Sequence, residues 1–170
     1  MQLKADFYAR PATELAVALL GKLLCRRLPD GSVLRRRITE TECYFGEEDS
    51  ACHAHKGRTA RTETLYAAGG ITYVYLCYGI HSLLNVVTGK EGHPEAVLIR
   101  GVEGASGPGR VTKALGITCE DNKTPLTKEG GIWIEDDGTP PPDHTAAPRV
   151  GIDYAKQEDK DRPWRYLMIQ

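Results

Sequence analysis

Turn-forming pairs cut this chain into short apolar runs, and that punctuation restricts the fold more than any other feature. Pro29-Asp30-Gly31 separates a run from Leu23 to Leu28 from a longer one between about Val33 and Tyr44, and an Asp-Gly pair fits a hairpin. Tyr78-Gly79 likewise separates Tyr73-Val74-Tyr75-Leu76-Cys77 from Ile80 to Thr88. Ala96 to Val102 and Tyr166 to Ile169 read as further strands. Helical signals are fewer. Pro11 suits a first helical turn, Leu15, Leu19 and Leu20 form an apolar face, and Gly21 suits a terminator. Glu47, Glu48 and Asp49 suit the start of a short helix carrying Ala51 and Cys52. Gly107-Pro108-Gly109-Arg110 precedes a helix from Val111 to Leu115. Lys56 to Thr62 and Pro140 to Pro148 read as surface loops. The expectation is one α+β domain over residues 1–170, a mostly antiparallel curved sheet with flanking helices and a protruding β-hairpin.

The 170 residues can bury a substantial core without disulfides or a structural metal. With 41% hydrophobic and 26% charged residues, the composition is that of an ordinary soluble protein, and no apolar run reaches the roughly 20 residues of a membrane span. The first residues lack the apolar core of a signal peptide. Five cysteines without paired spacing point to reduced thiols in the cytoplasm. The net charge of -1 announces no polyanion ligand, but residues 1–116 hold 15 Lys+Arg against 12 Asp+Glu, and residues 117–170 hold 7 against 11. A polyanion site therefore belongs on the first two-thirds.

The tyrosine run puts Tyr73, Tyr75 and Cys77 on one strand face and Val74, Leu76 and Tyr78 on the other. Core packing explains such a run, and so does a pair of rings serving an extruded base. Ile38 to Tyr44 alternates in the same way, with Glu40, Glu42 and Tyr44 sharing a face. An inward carboxylate there could serve as a general base; alternatively both glutamates face solvent at a sheet edge. Part of the polar stretch Arg35-Arg36-Arg37 is expected to face solvent or phosphate. Cys43, Cys52, His53 and His55 offer zinc-type donors without the paired spacing of a strong zinc motif. His81, His93 and His144 are scattered and read as solvated. The turn before Val111, with Arg110 and Lys113, could hold a phosphate at a helix start, or be a simple cap.

These segments resemble the alkyladenine, or 3-methyladenine, DNA glycosylase family along nearly the whole chain. The resemblance rests on Asp6-Phe7-Tyr8, Leu20-Gly21, Glu40-Thr41-Glu42-Cys43-Tyr44-Phe45-Gly46, Glu48-Asp49, His53, Tyr73 to Gly79, Asn85, Val97-Leu98-Ile99-Arg100, Gly107 to Leu115, and Arg149-Val150-Gly151-Ile152. It implies that Glu42 is the catalytic base that activates water, and that Arg100 helps hold that water with a backbone carbonyl near Val150. It implies that Tyr44 and Tyr75 sandwich the flipped base beside His53, that Asn85 rejects the amino group of guanine, and that Tyr78 fills the gap in the duplex. Tyr73 has no matched role and is left to the core. Arg58, Arg61, Arg110 and Lys113 are the candidate phosphate contacts. The implied protein is a compact, bacterial-type monomer without metal or organic cofactor. It acts near the nucleoid on double-stranded DNA and releases alkylated or deaminated purines without cutting the strand. A non-catalytic nucleic-acid-binding module and a zinc hydrolase are the competing readings.

Overall fold

The computed structural model describes all 170 residues, and the turn signals define its architecture. Nine strands form one sheet: β1 (Leu23–Arg27), β2 (Val33–Phe45), β3 (Thr72–Cys77), β4 (His81–Val87), β5 (Glu95–Val102), β6 (Ala105–Ser106), β7 (Ile132–Glu135), β8 (His144–Ala147) and β9 (Arg165–Met168). The main order is β3-β4-β5-β2-β1-β7, with β6 on β5 and with β9, followed by β8, on β2. Every pairing is antiparallel, and in β1–β2, β3–β4 and β5–β6 chain reversal at a tight turn requires it. The helices are α1 (Ala5–Tyr8), α2 (Ala12–Ala18), α3 (Pro108–Leu115) and α4 (Gln157–Lys160). The sheet is curved and the helices are few, which is the α+β domain that the punctuation implied. No helix is long and apolar enough to cross a membrane.

The long strand β2 organises the sheet. Its first half pairs with β1, and its second half lies between β5 and β9. Between Ile38 and Thr41 the β2–β5 register slips twice: Thr39 is left over on β2, then Arg100 on β5. Such bulges bend a sheet and re-aim the extra side chain. Gly101 permits the close approach, since a Cβ there would sit 2.9 Å from the Thr39 hydroxyl.

One sheet face packs on α2 and α3 around Leu15, Leu19, Leu20, Ile38, Val74, Leu84, Val86, Val97, Ile99, Val111 and Leu115. Burying each of the large aliphatic side chains contributes about 1.5–3 kcal/mol. Thr41, on the same face, donates its hydroxyl to the Ala16 carbonyl at 2.6 Å. The alternate residues of β2 to β5 point the other way, toward a second cluster containing Tyr66, Tyr73, Val87 and Ala96.

Three expectations are corrected. Residues 47–52 are turns, not a helix. The Asp49 carboxylate accepts the Phe45 and Ala51 amides, so it caps the turn while buried rather than opening a helix. A short 3-10 turn instead spans His53–Lys56. The segment from Pro140 to Pro148 is no plain loop, because His144 to Ala147 pair with β9 through backbone groups that side-chain periodicity does not reveal. The arginine run is partly exposed, as expected: Arg35 faces solvent while pairing with Glu135, Arg37 lies half-buried between Asp137 and Glu103, and Arg36 donates to the Glu103 carbonyl. Glu42 is not at a sheet edge, because β2 has partners on both sides and the carboxylate is fully buried.

Candidate active site

Strand register brings the site together. Tyr73 lies opposite Asn85, Asn85 opposite Leu98, and Leu98 opposite Glu42, so one row crosses β3, β4, β5 and β2. Residues two places along each strand share the face, which adds Tyr75, Leu83, Ala96 and Tyr44. All of these side chains except Glu42 line a cleft of about 770 Å³, within the usual range for sites that enclose a small molecule. Arg100, the bulge residue, and Val150 to Ile152 complete its wall, and the start of α3 forms one rim.

Glu42 sits behind that lining with no exposed surface. Its Oε1 accepts the Tyr44 hydroxyl at 2.8 Å and its Oε2 accepts the Val150 amide at 2.8 Å. The Arg100 Nε is 3.6 Å from Oε2. Burial raises the carboxyl above its ordinary value, and Arg100 and the hydrogen bonds offset only part of that effect. The result is a buried, oriented carboxylate that binds a proton more readily than a solvated one. The backbone amide of Val150 orients the carboxylate directly.

The aromatic wall is preorganised. The His53 ring packs at 4.5 Å, centroid to centroid, against Tyr75, and Tyr73 and Tyr75 lie 5.5 Å apart. Nδ1 of His53 is 3.0 Å from the Tyr73 hydroxyl. Burial, with help from Arg61, lowers the His53 imidazole to about 4, so it is neutral at physiological pH. Tyr73 therefore belongs to both the core and the site: it is buried, yet it lines the cleft and anchors His53. Its place on the Tyr75 face was a signal available in the sequence. The Asn85 amide donates to the Tyr73 carbonyl at 3.3 Å.

At the cleft mouth the β3–β4 hairpin reverses through Tyr78 and Gly79, both with positive φ (54° and 69°), as the tight primed turns require. Tyr78 is 89% exposed, flanked by exposed Leu76 and Ile80. A tyrosine in the left-handed region is strained, and its ring projects into solvent. Arg110 and Lys113 stand exposed on the α3 rim, and Arg61 lies 5.5 Å over the Tyr75 ring. Arg58 is exposed, bidentate to Glu63 at 2.6 and 2.7 Å, and lies off the cleft lining. His81 and His144 are exposed, as expected, with His81 at the cleft beside Gly109 and His144 against the Tyr166 ring; His93 is half-buried and held by Glu95 at 2.6 Å.

The loop before α4 holds the site from behind. The guanidinium of Arg149 is buried against Asp49 (2.7 and 3.0 Å) and donates to the carbonyls of Cys43 and Asp159. It also lies 5.0 Å over the Tyr44 ring. Arg149 therefore fixes the strand between Glu42 and Tyr44, and it places the Val150 amide. Sequence reasoning noted the segment but not this role, which depends on a contact 100 residues away. The zinc-type donors do not converge: Cys43 faces the core, His53 the Tyr73 hydroxyl and His55 the Glu47 carbonyl, and no group of three His, Cys, Asp or Glu is placed to hold a metal ion.

The sequence comparisons agree with this geometry. The family model described as methylpurine-DNA glycosylase matches residues 6–105 and 101–170. A protein of Psychrobacter cryohalolentis named "Putative 3-methyladenine DNA glycosylase" is 45% identical over 89% of this chain and 85% of its own length. Proteins with the same name from Methanocella arvoryzae (45% identical, 96% of this chain and 90% of the relative) and Nitrosococcus oceani (46%, 94% and 86%) are similar to the same extent. An aromatic cleft over a buried carboxylate, matched along nearly its whole length, places this chain in the methylpurine-DNA glycosylase family.

Proposed function

We propose that this chain is a monofunctional DNA glycosylase that rotates alkylated or deaminated purines out of duplex DNA and hydrolyses their glycosidic bond with a water activated by Glu42. The observation that carries this reading is the pairing of a buried, raised carboxylate with an aromatic cleft whose mouth bears an exposed tyrosine hairpin. Tyr44 and Tyr75 supply electron-rich faces for a purine, and the charge of an alkylated one strengthens that contact. The neutral His53 puts no cation against it. Asn85 at the floor sets which purine edges fit. Tyr78 occupies the gap left in the stack, and Arg110 and Lys113, with Arg61, hold the flanking phosphates.

In the chemical step the carboxylate of Glu42 takes a proton as the water oxygen bonds to C1′. The bond from C1′ to the purine nitrogen breaks, and its electron pair leaves with the base. The charges of Glu42 and Arg100 are fixed before the reaction, so the developing oxocarbenium-like charge meets an oriented field. Extrusion is least costly at damaged pairs, which adds selectivity. The protein acts as a monomer on double-stranded DNA.

Incubation with duplexes containing 3-methyladenine, 7-methylguanine, hypoxanthine or ethenoadenine tests this. Base release without strand cleavage, no borohydride-trapped adduct, and loss of release in Glu42→Gln with DNA binding retained are expected. No release from any of the four duplexes would leave only a stacking module, and normal turnover by Glu42→Gln would remove the assigned base.

A further inference from the structure

Glu40 makes contacts that neither the fold nor the step above accounts for. Its Oε2 accepts from the Arg100 Nε at 3.1 Å and from the Arg165 Nη1 at 3.2 Å. Arg165 is in turn anchored on the Pro148 carbonyl at 2.9 Å, next to the loop that carries Arg149 and Val150. All three side chains are mostly buried, with 15–23% of their surface exposed. The β5 bulge turns Arg100 into the cleft between two carboxylates, and the same Nε that bonds Glu40 stands 3.6 Å from Glu42.

We propose that Glu40, braced by Arg165, is a positioning residue that holds the Arg100 guanidinium off Glu42, so that Glu42 remains free to accept a proton from water. The inference rests on the reading of Glu42 as the base. Arginine prefers a bidentate pair with a carboxylate. With Glu40 absent, nothing on the β9 side would stop Arg100 from closing the remaining gap to Glu42. The closed pair would satisfy the lone pairs that must receive the proton. It would also favour the ionised form of Glu42, and loss of a neighbouring negative charge acts in the same direction. The other groups around Glu42 do not change: Tyr44 on its own strand, Tyr75 on β3, the Val150 amide and Arg149 from the loop, and Tyr154 beyond it.

The test is the pH dependence of base release by the full chain on a hypoxanthine duplex. The acid limb of kcat/KM reports the base of the free enzyme. Glu40→Gln is expected to move that limb down by about one pH unit and to lower kcat about tenfold, with KM within about twofold. Glu40→Asp keeps the charge on a shorter stem. It should leave the limb in place while still lowering kcat, because the Arg100 contact stretches. A Glu40→Gln profile that superimposes on the parent overturns the proposal, as does a Glu40→Asp limb displaced as far as that of Glu40→Gln. If Glu40→Gln does not fold, an unchanged kcat in Glu40→Asp overturns it. Glu42→Gln, run in parallel, separates the two ideas: full activity there removes the base itself, whereas an inert Glu42→Gln beside an unaltered Glu40→Gln removes only the positioning role.

Discussion

Replacing Asp49 by Asn tests whether the buried ion pair behind the site holds the fold as well as the chemistry. Asp49 and Arg149 are 1% and 0% exposed at their side chains, and Asp49 receives four hydrogen bonds, two from Arg149 and two from backbone amides. Asparagine keeps one acceptor oxygen but puts an amide donor where the second stood, facing a guanidinium or a backbone N–H. The positive charge of Arg149 then stays buried without its counter-charge. The loss should be about 3–5 kcal/mol, the usual cost of removing one partner of a buried pair. Against a total stability of about 5–15 kcal/mol this is severe. At about 2–4 °C per kcal/mol for a domain of this size, the melting temperature should fall on the order of 10 °C. Activity below the new midpoint should also drop, since Arg149 fixes the Cys43 carbonyl and delivers the Val150 amide to Glu42. Differential scanning calorimetry and single-turnover base release read both effects. A midpoint within 2 °C of the parent would show that relaxation or water satisfies Arg149, and the account of the site's support would fail.

Glu42→Gln should raise stability while removing activity, because ionising a carboxyl whose folded value lies above its unfolded one weakens the native state. The difference from the parent should grow as pH rises from about 4.5 toward neutrality, and urea midpoints that run parallel across that range would contradict it. His53 has the opposite sign. Its folded value is lowered to about 4, so the parent should lose stability, at most about 3 kcal/mol, as pH falls from 6.5 toward 4, and His53→Gln should remove that part of the slope. Gly101→Ala should cost about 1–3 kcal/mol and slow base release, because the new Cβ meets Thr39 and Glu40 at the bulge that aims Arg100. Tyr78→Ala should leave thermal stability within about 0.5 kcal/mol, given its exposure, yet weaken binding to damaged duplex by 1–3 kcal/mol in a fluorescence titration; unchanged affinity would remove the wedge role.

Local chemistry was readable wherever it determines local structure. Asp30-Gly31 and Tyr78-Gly79 marked two reversals because positive φ is available to few residues, and Gly31, Tyr78 and Gly79 all adopt it. Alternation along Ile38 to Tyr44 and Tyr73 to Cys77 placed Glu42, Tyr44 and Tyr75 on the faces that line the site, because a strand has a period of two whatever its partners. The strand Ile132–Glu135 was missed, although Ile132, Trp133 and Ile134 after Gly130-Gly131 carried a signal for it. The helix expected from Glu47 failed because its acidic residues serve distant partners: Asp49 serves Arg149, and Glu47 accepts the Tyr66 hydroxyl at 2.8 Å.

The sequence alone thus determined the antiparallel class of the fold and the residue types that face a common cleft, since turn chemistry and strand period act over a few residues. The tertiary structure alone decided which charges are free and which are occupied. Arg58 is paired with Glu63, Arg100 is held between Glu40 and Glu42, and Glu42 takes its last hydrogen bond from an amide 108 residues away. The role proposed for Glu42 needs a carboxylate that is desolvated, oriented and left with a free lone pair, conditions that depend on burial and distance in three dimensions.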